Sequence, residues 1–496
     1  MQLDELTRAS TMPDPISTRE GTAARTRYTA ARREHWNQVA RLTDRWSGWG
    51  GAYHRRLRNV YRAMVTPGQR VLDLGCGRGD LLAAIEPQFG VGVDFSEEML
   101  ARATRRYPHL RFVNADVHGL EGLEGPFDVI ILSDLVNDLW DVQAALEQLK
   151  PLMTSSTRLI FNLFSRLWQL PLETAQRLRL AKSVLPQNWL TVEDLLNLFR
   201  LSDLEAIRSW QECLLPLPAP ILEPFCNRFL VRLWPFKHLA FSNFVVARFA
   251  ATGSPADEAL VSVIVPARNE EGNIEQIFRR TPEMGRGTEI IFVEGHSKDR
   301  TFEVIDEEIR KNPDRRAKLL RQPGVGKGDA VRHGFAASSG EILMILDADL
   351  TVPPEDLPRF YEALRSAKGE FVNGVRLVYP MEAKAMRFFN LLGNKFFSLA
   401  FSWLLGQPIK DTLCGTKAVS RANYDLIAAN RSYFGDFDPF GDFDLLFGAA
   451  KLNLRIVEIP IRYRERTYGT TNIQRWKHGW LLLRMVLFAA RRIKFG

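Results

Sequence analysis

Two carboxylates spaced two residues apart, Asp347 and Asp349, close the apolar run "ILMIL" at 342–346. Such a run reads as a covered strand, and Pro353 and Pro354 stop it before a helix expected from about Glu355. In a strand, side chains two residues apart point the same way, so the two charges repel unless water or a cation separates them. A hard divalent cation accepts such oxygens readily, and open α/β sheets bind ligands at the carboxyl ends of their strands. A solvated strand-to-helix turn gives the same local pattern, so the pair gains meaning only from its company.

That company lies upstream. "LVSVIVPARNEEGNI", 260–274, is a β-rich strand ending at Pro266, with Glu270 just before a helix. "TEIIFVEGHSKDRT", 288–301, ends in a polar cluster with Glu294 and Asp299, and "GVGKGDAVRHGFAASSG", 324–340, adds glycines with Lys327 and Arg332. The last stretch is no phosphate-binding Walker loop, because no Ser or Thr follows the lysine. Lys327 and Arg332 read either as positive potential for a leaving group or as ordinary surface charges.

A second chemistry-bearing stretch stands in the first half. "RVLDLGCGRGDLLAAI", 70–85, is a strand, a glycine-rich turn and a helix. Gly75, Gly77 and Gly79 let the backbone bend and approach a ligand, beside the amino end of the following helix. Asp94 ends the next strand, placed to accept from a ribose diol, and Asp116 follows a third, placed to face an adenine amino group. Asp134 and Asn137 follow the fourth strand, where each could orient an acceptor or cap a helix. Tyr53 and His54 stand after a "GWGG" turn as a pocket lid, a base or surface groups.

The elements that carry these residues alternate between strand and helix, the pattern of largely parallel sheets. The 496 residues exceed one ordinary core. The expected organisation is a flexible segment 1–29, an α/β domain over 30–250, a linker at 251–259 and a second α/β domain over 260–496 with a basic amphipathic tail. Hydrophobic content of 46% and charged content of 25% describe a folded chain. Four sparse cysteines favour a reducing compartment over a disulfide scaffold, and no signal-peptide pattern opens the chain. The formal charge is +8, and from Arg462 onward nine Arg or Lys face one acidic residue. With no finger or RNA-binding signature, this tail argues for an anionic membrane surface or a phosphorylated ligand and against nucleic acid. The stretch "FFNLLGNKFFSLAFSWLLG", 388–406, carries Asn390, Asn394 and Lys395 and suits a buried, lid or interfacial helix better than a membrane crossing.

Asp73, Gly75, Gly77, Gly79, Asp94 and Asp116 stand as in class I S-adenosylmethionine-dependent methyltransferases, which the first half resembles over roughly 30–250. The resemblance implies a Rossmann-like seven-stranded sheet with an antiparallel final strand, here "LAFSNFVVARFA". It implies S-adenosylmethionine as cofactor, its amino-acid part beside the glycine loop, its ribose on Asp94 and its adenine near Asp116.

The second half resembles family 2 glycosyltransferases of the GT-A fold over roughly 260–475, through "PARNE", Glu294, Asp299, "GKGDA" and "DAD". This implies that Pro266, Ala267, Glu270, Glu294 and Asp299 surround the nucleotide of a UDP- or GDP-linked sugar. Asp347 would touch the nucleotide side, and Asp349 would hold Mg²⁺ or Mn²⁺. "DTLCGTKAVSR" and "GDFDLLFGAAKLNLRIVEIPIRYRERTYGTTNI" are similar to parts of polyprenyl-phosphate glycosyltransferases. Asp411 and Lys417 match residues near donor and acceptor there, and Asp442 and Asp444 match an acidic pair, read as a base or as partners of Arg464 or Lys417. Arg464, Arg466 and Tyr468 match a basic loop that usually continues Ser-Lys, where this chain has Thr471 and Asn472.

The expected protein is thus a bifunctional enzyme: methyl transfer in one half, and inverting, metal-dependent sugar transfer to a polyprenyl phosphate or related glycolipid in the other. It would work in the cytoplasm, peripherally on the inner face of the membrane. The alternative is sugar transfer to a soluble glycan or small molecule, with the first half a binding module.

Overall fold

A computed structural model describes residues 19–42, 48–178, 185–216, 218–250, 258–376, 388–431, 442–461, 463–464, 466, 468 and 475–494. The chain divides into two compact units. One takes residues from 1–204, 211–223 and 235–248, and the other takes residues from 205–210, 224–234 and 249–496. The grouping departs from a single cut at 251–259, although every strand of the second sheet lies beyond that stretch.

The first sheet holds strands β1 (Arg70–Leu74), β2 (Phe89–Asp94), β3 (Arg111–Asn114), β4 (Val129–Ser133), β5 (Arg158–Phe164), β6 (Leu204–Glu212) and β7 (Ser242–Phe249), all but 205–210 of β6 and the last residue of β7 grouped in the first unit. Their order is β3-β2-β1-β4-β5-β7-β6, and β7, from the expected antiparallel segment, runs antiparallel to β5. The order reverses between β1 and β4, so a crevice opens at their carboxyl ends. A helix Arg19–Leu42, starting earlier than the polar amino-terminal sequence suggests, contributes Tyr28 and Arg32 to the cavity there.

The second unit carries β8 (Val261–Ala267), β9 (Thr288–Glu294), β10 (Arg316–Arg321), β11 (Ile342–Ile345), β12 (Phe371–Val375), β13 (Lys417–Ser420) and β14 (Ile456–Pro460). The order is β10-β9-β8-β11-β13-β12-β14, with β13 antiparallel to both neighbours. Val261, Val263 and Val265 pack on one face with Ile342, Met344 and Leu346, against Ile274, Ile277 and Phe278. Ile264, Leu343 and Ile345 pack on the other, against Phe335, Phe401 and Phe443. Covering on both faces explains why these strands read as unbroken apolar runs rather than alternating ones. Leu343→Ala would cost about 2–5 kcal/mol through lost burial and the cavity left behind.

The turn after β11 forms as its prolines dictate: a 3₁₀ turn Pro354–Asp356 leads into the helix Leu357–Arg365. Antiparallel register sets Lys417 beside Ile345, so the amino end of β13 meets the carboxyl end of β11. Residues far apart in the chain thereby reach the edge that carries Asp347 and Asp349.

Candidate active sites

In the first unit, Gly75 and Gly79 adopt φ of 69° and 73°, a region costly for residues with a Cβ. Space enforces the choice as well. A Cβ on Gly75 would lie 2.9 Å from Leu135 Cδ1, and one on Gly79 would lie 2.8 Å from Phe112 Cζ, whereas one on Gly77 would meet nothing within 4 Å. The loop is therefore wedged against the turn after β4 at one end and β3 at the other, and open in its middle. Asp94 accepts from the Gly77 and Ser96 amides, both at 2.8 Å, which ties the loop to β2. Ser96 then caps the helix Glu97–Arg106 by accepting from the Met99 amide. Burial pushes the Asp94 carboxyl up to about 6, against the pull of those amides.

Asp73 is almost fully buried, and neither carboxyl oxygen has a hydrogen-bond partner. Burial, then the charge of Asp94, pushes its pKa up to about 8. An unpartnered buried acid is costly unless a ligand completes it. The adjoining cavity is lined by Gly75, Asp94, Asp116, His118 and Leu135, among others. Asp116 accepts from the His118 amide at 2.9 Å and bonds the His118 ring at 2.7 Å, and the ring bond leads in holding its carboxyl below the usual range. His118, missed from the sequence, thus orients the acid expected at adenine. These groups fit S-adenosylmethionine: Asp94 for a diol, the open middle of the glycine loop for close approach, and the orphaned Asp73 oxygens for a cationic group.

Asp134 does not cap a helix. It sits at φ 56°, its carboxyl accepts from Tyr53 Oη at 2.8 Å and Asn162 Nδ2 at 2.5 Å, and burial pushes its pKa up to about 7. Asn137 is buried with its side-chain nitrogen unpartnered. Burial lowers the His54 imidazole to about 4, so it is neutral at ordinary pH.

In the second unit the carboxyl edge gathers charge. Lys327, the first residue of the helix Lys327–Ala337, pairs with Asp347 at 2.7 Å. Burial alone would raise the Asp347 pKa, but Lys327, then Lys417 and Arg376, hold it below its ordinary value. Asp349 accepts from the Thr351 hydroxyl at 2.7 Å and amide at 3.1 Å through one oxygen, and from Arg466 at 2.6 Å through the other. Arg466 also lies 3.5 Å from Glu270. Burial outweighs that arginine and lifts Glu270 to about 7.

Around this centre Asp299 accepts from Thr301 at 2.5 Å, and Glu294 accepts from the Ser297 amide at 2.5 Å. Pro266 and Ala267 end β8, and Ala267 is bonded through its carbonyl to the Gly295 amide. The Arg464 amide donates to the Thr351 carbonyl, while the Arg464 side chain is exposed. Tyr468 donates to Glu271 at 3.0 Å.

Three of the expected site residues have partners that the sequence reading did not name. Asp411 is spent on Arg376, at 2.6 and 2.8 Å, and on the Leu413 amide. Burial would raise its pKa, but Arg376 keeps it lowered. Its oxygens therefore hold an arginine that the sequence did not single out. Asp444 pairs with Arg431 at 2.8 Å, an arginine other than the Arg464 of the sequence reading. Lys417 is buried and donates to the Cys414 carbonyl. Asp442 opens the helix Asp442–Lys451, and its side chain lies outside the described residues, as do Thr471 and Asn472.

Among the described residues no group of three His, Cys, Asp or Glu forms a cage for a metal ion. The donor set still fits a cation of the Mg²⁺ type, which is held by one or two carboxylates plus substrate phosphates rather than by an all-protein cage. Asp347 and Asp349 are two such carboxylates on one edge, each now neutralised by a cationic side chain.

Residues 71–155 match the family model "Methyltransferase domain", and residues 262–423 match "Glycosyl transferase family 2". Among curated relatives, an undecaprenyl-phosphate 4-deoxy-4-formamido-L-arabinose transferase of Pseudomonas aeruginosa is 30% identical over 214 residues, 42% of this chain and 59% of that protein. A dolichol-phosphate mannosyltransferase of Pyrococcus furiosus is 34% identical over 219 residues, 43% of this chain and 59% of that protein. The chain thus spans about three fifths of the length of these relatives. Among solved structures, an S-adenosylmethionine dependent methyltransferase from Mesorhizobium loti aligns with 38% of this chain and 96% of its own, at 22% identity and a TM-score of 0.30. Glucosyl-3-phosphoglycerate synthase from Mycobacterium tuberculosis aligns with 48% of this chain and 81% of its own, at 20% identity and a TM-score of 0.35. The chain is a fusion of a methyltransferase domain with a family 2 glycosyltransferase domain, the latter resembling polyprenyl-phosphate sugar transferases.

Proposed function

We propose that the second unit transfers a sugar from a nucleotide-sugar to a polyprenyl phosphate or related glycolipid, and that the first transfers a methyl group from S-adenosylmethionine. The observation that carries the sugar-transfer reading is the convergence of Asp347, Asp349, Glu270, Lys327 and Arg466 on one sheet edge. An acceptor phosphate oxygen, already anionic, attacks the anomeric carbon as the bond to the nucleotide diphosphate breaks, with inversion. No base is needed for that acceptor, which suits a site where Asp411 and Asp444 are engaged by arginines. Lys327 and Arg466 offer positive charge to the departing diphosphate. A divalent cation held by Asp347 and Asp349 with the diphosphate oxygens would stabilise the same charge. The named relatives act on undecaprenyl phosphate and dolichol phosphate, which supports this acceptor class.

The test is incubation of the purified protein with labelled S-adenosylmethionine, UDP-, GDP- and dTDP-sugars and a membrane lipid extract, with products resolved by mass. A lipid-soluble glycosyl phosphate is expected. Sugar appearing only on water-soluble glycans would overturn the acceptor class.

Peripheral membrane contact belongs to this reading. In the second unit Phe225, Phe229, Leu233, Trp234, Phe396, Leu399, Trp403, Trp480 and Leu487 are exposed. Three of their segments are tied together, Trp403 donating to the Arg232 carbonyl and Arg232 to that of Lys494. Arg228, Lys395 and Arg491 are exposed beside them in sequence. Aromatic and basic residues together suit an anionic lipid surface, and among the described residues no helix is long and apolar enough to cross a membrane. Cosedimentation with vesicles of 30% phosphatidylglycerol is therefore expected at low salt, weakening as salt rises. Trp234→Glu with Phe225→Glu should cut it about tenfold. Absence of binding at low salt would remove the membrane role.

A further inference from the structure

Asp349 has no oxygen to spare. One oxygen accepts both donors of Thr351, and the other accepts Arg466 Nη2 at 2.6 Å. The same guanidinium lies 3.5 Å from Glu270 Oε1, so a single cationic side chain bridges two acids at the point where a divalent ion is expected. Two described residues near it in sequence are held: the Arg464 amide donates to the Thr351 carbonyl, and Tyr468 Oη donates to Glu271. Gly272 lies so close beneath the Tyr468 ring that a Cβ there would be 2.6 Å from Cδ2. Arg466 is thus held over the acids, about one quarter exposed, rather than left in solvent.

A divalent cation and this guanidinium compete for one carboxylate oxygen. The competition has a natural arbiter. A nucleotide diphosphate offers a planar guanidinium paired anionic oxygens, the geometry that arginine binds bidentately. We infer that Arg466 is a swap group: it occupies Asp349 in the absence of donor, moves onto the donor's diphosphate when that arrives, and so opens Asp349 to the cation. The inference rests on the reading of this unit as a metal-assisted sugar transferase. Its consequence is selectivity for the cation–diphosphate complex over the free ion, with Arg466 coupling the two ligands. Coupling is reciprocal, so the factor by which diphosphate tightens the cation is also the factor by which the cation tightens diphosphate.

The experiment uses the full chain and Mn²⁺ binding followed by electron paramagnetic resonance, with and without UDP or GDP. Wild type should bind Mn²⁺ alone weakly and gain at least tenfold with the matching nucleotide. Arg466→Gln should bind Mn²⁺ alone about five- to tenfold tighter than wild type and lose most of the nucleotide-induced gain. Arg466→Lys keeps the charge without the fork and should lie between. Mn²⁺ alone binding Arg466→Gln no tighter than wild type would overturn the swap. Asp349→Asn, run in parallel, separates this from the parent reading. If Asp349→Asn weakens Mn²⁺·nucleotide binding while Arg466→Gln changes nothing, the metal site stands and the swap fails. If wild type binds no Mn²⁺ even with either nucleotide, both fail.

Discussion

Asp349→Asn is expected to lower sugar transfer roughly a hundredfold, about 2.7 kcal/mol, while methyl transfer continues at the wild-type rate. The amide keeps the shape of the carboxylate and can still accept from Thr351, which reaches Asp349 through its hydroxyl and its amide. What it loses is the charge. The Arg466 ion pair at 2.6 Å becomes a neutral contact, and a divalent ion loses an anionic ligand. Stabilisation of a leaving diphosphate by such an ion is worth several kcal/mol, so a hundredfold loss is a conservative share. Asp347→Asn should impair sugar transfer as well, because it removes the carboxylate charge that Lys327 meets at 2.7 Å. A chelator should stop sugar transfer reversibly and spare methyl transfer, whose sulfonium donor needs no charge neutralisation. Parallel initial rates of both products check this. Wild-type sugar transfer by Asp349→Asn under limiting Mg²⁺ would remove the metal site and leave Asp349 the bland role of anchoring Arg466.

What the sequence showed of these sites is what local chain geometry determines. Asp347 and Asp349 follow a four-residue strand, and Gly75, Gly77 and Gly79 follow another, so strand period and turn chemistry alone place them at a sheet edge. His118 was open to the same reasoning, since an aspartate that accepts from the amide two residues on is a common turn. Partners set by long-range pairing were not legible. Lys417 reaches the DxD edge only because β13 runs antiparallel between β11 and β12. Arg376 and Asp411 meet across 35 residues, Arg466 and Asp349 across 117. No periodicity in the intervening sequence encodes those pairs. Asp411 illustrates the hazard: an acid in the right motif position is engaged by Arg376 and the Leu413 amide, whose tight geometry only the fold reveals. The exposed aromatic strip at 225–234 escaped for a different reason, because exposure of an apolar residue is a tertiary fact.

Asp73→Asn should separate stability from binding in the first unit. The wild-type carboxyl is about 1% exposed, has no partner for either oxygen, and titrates at about 8 instead of 3.8. Between those two values the folded state holds a proton that the unfolded chain has released. Stability must therefore fall as pH rises from about 4 to about 8, and level off above. Asp94 and Asp134, raised to about 6 and about 7 by burial, add to the fall in the same direction. An amide carries no charge to desolvate, so the variant without ligand should be more stable than wild type at pH 8 by on the order of 1–3 kcal/mol, with the difference vanishing near pH 4. Binding should move the opposite way. On the proposed placement, the cationic amino-acid part of S-adenosylmethionine would have a carboxylate partner in wild type and only an amide in the variant, a loss of about 2 kcal/mol or roughly thirtyfold in affinity. Calorimetric titration with the cofactor, and melts at pH 5 and pH 8 of the transition that the cofactor shifts, measure both. Wild-type affinity in the variant would take Asp73 out of the cofactor site. An unchanged pH dependence of the melt would mean that the buried acid is ionised and paired after all. A site that gives up folding stability at neutral pH for an oxygen pair that only a cation completes is the arrangement expected where function, not packing, holds the residue in place.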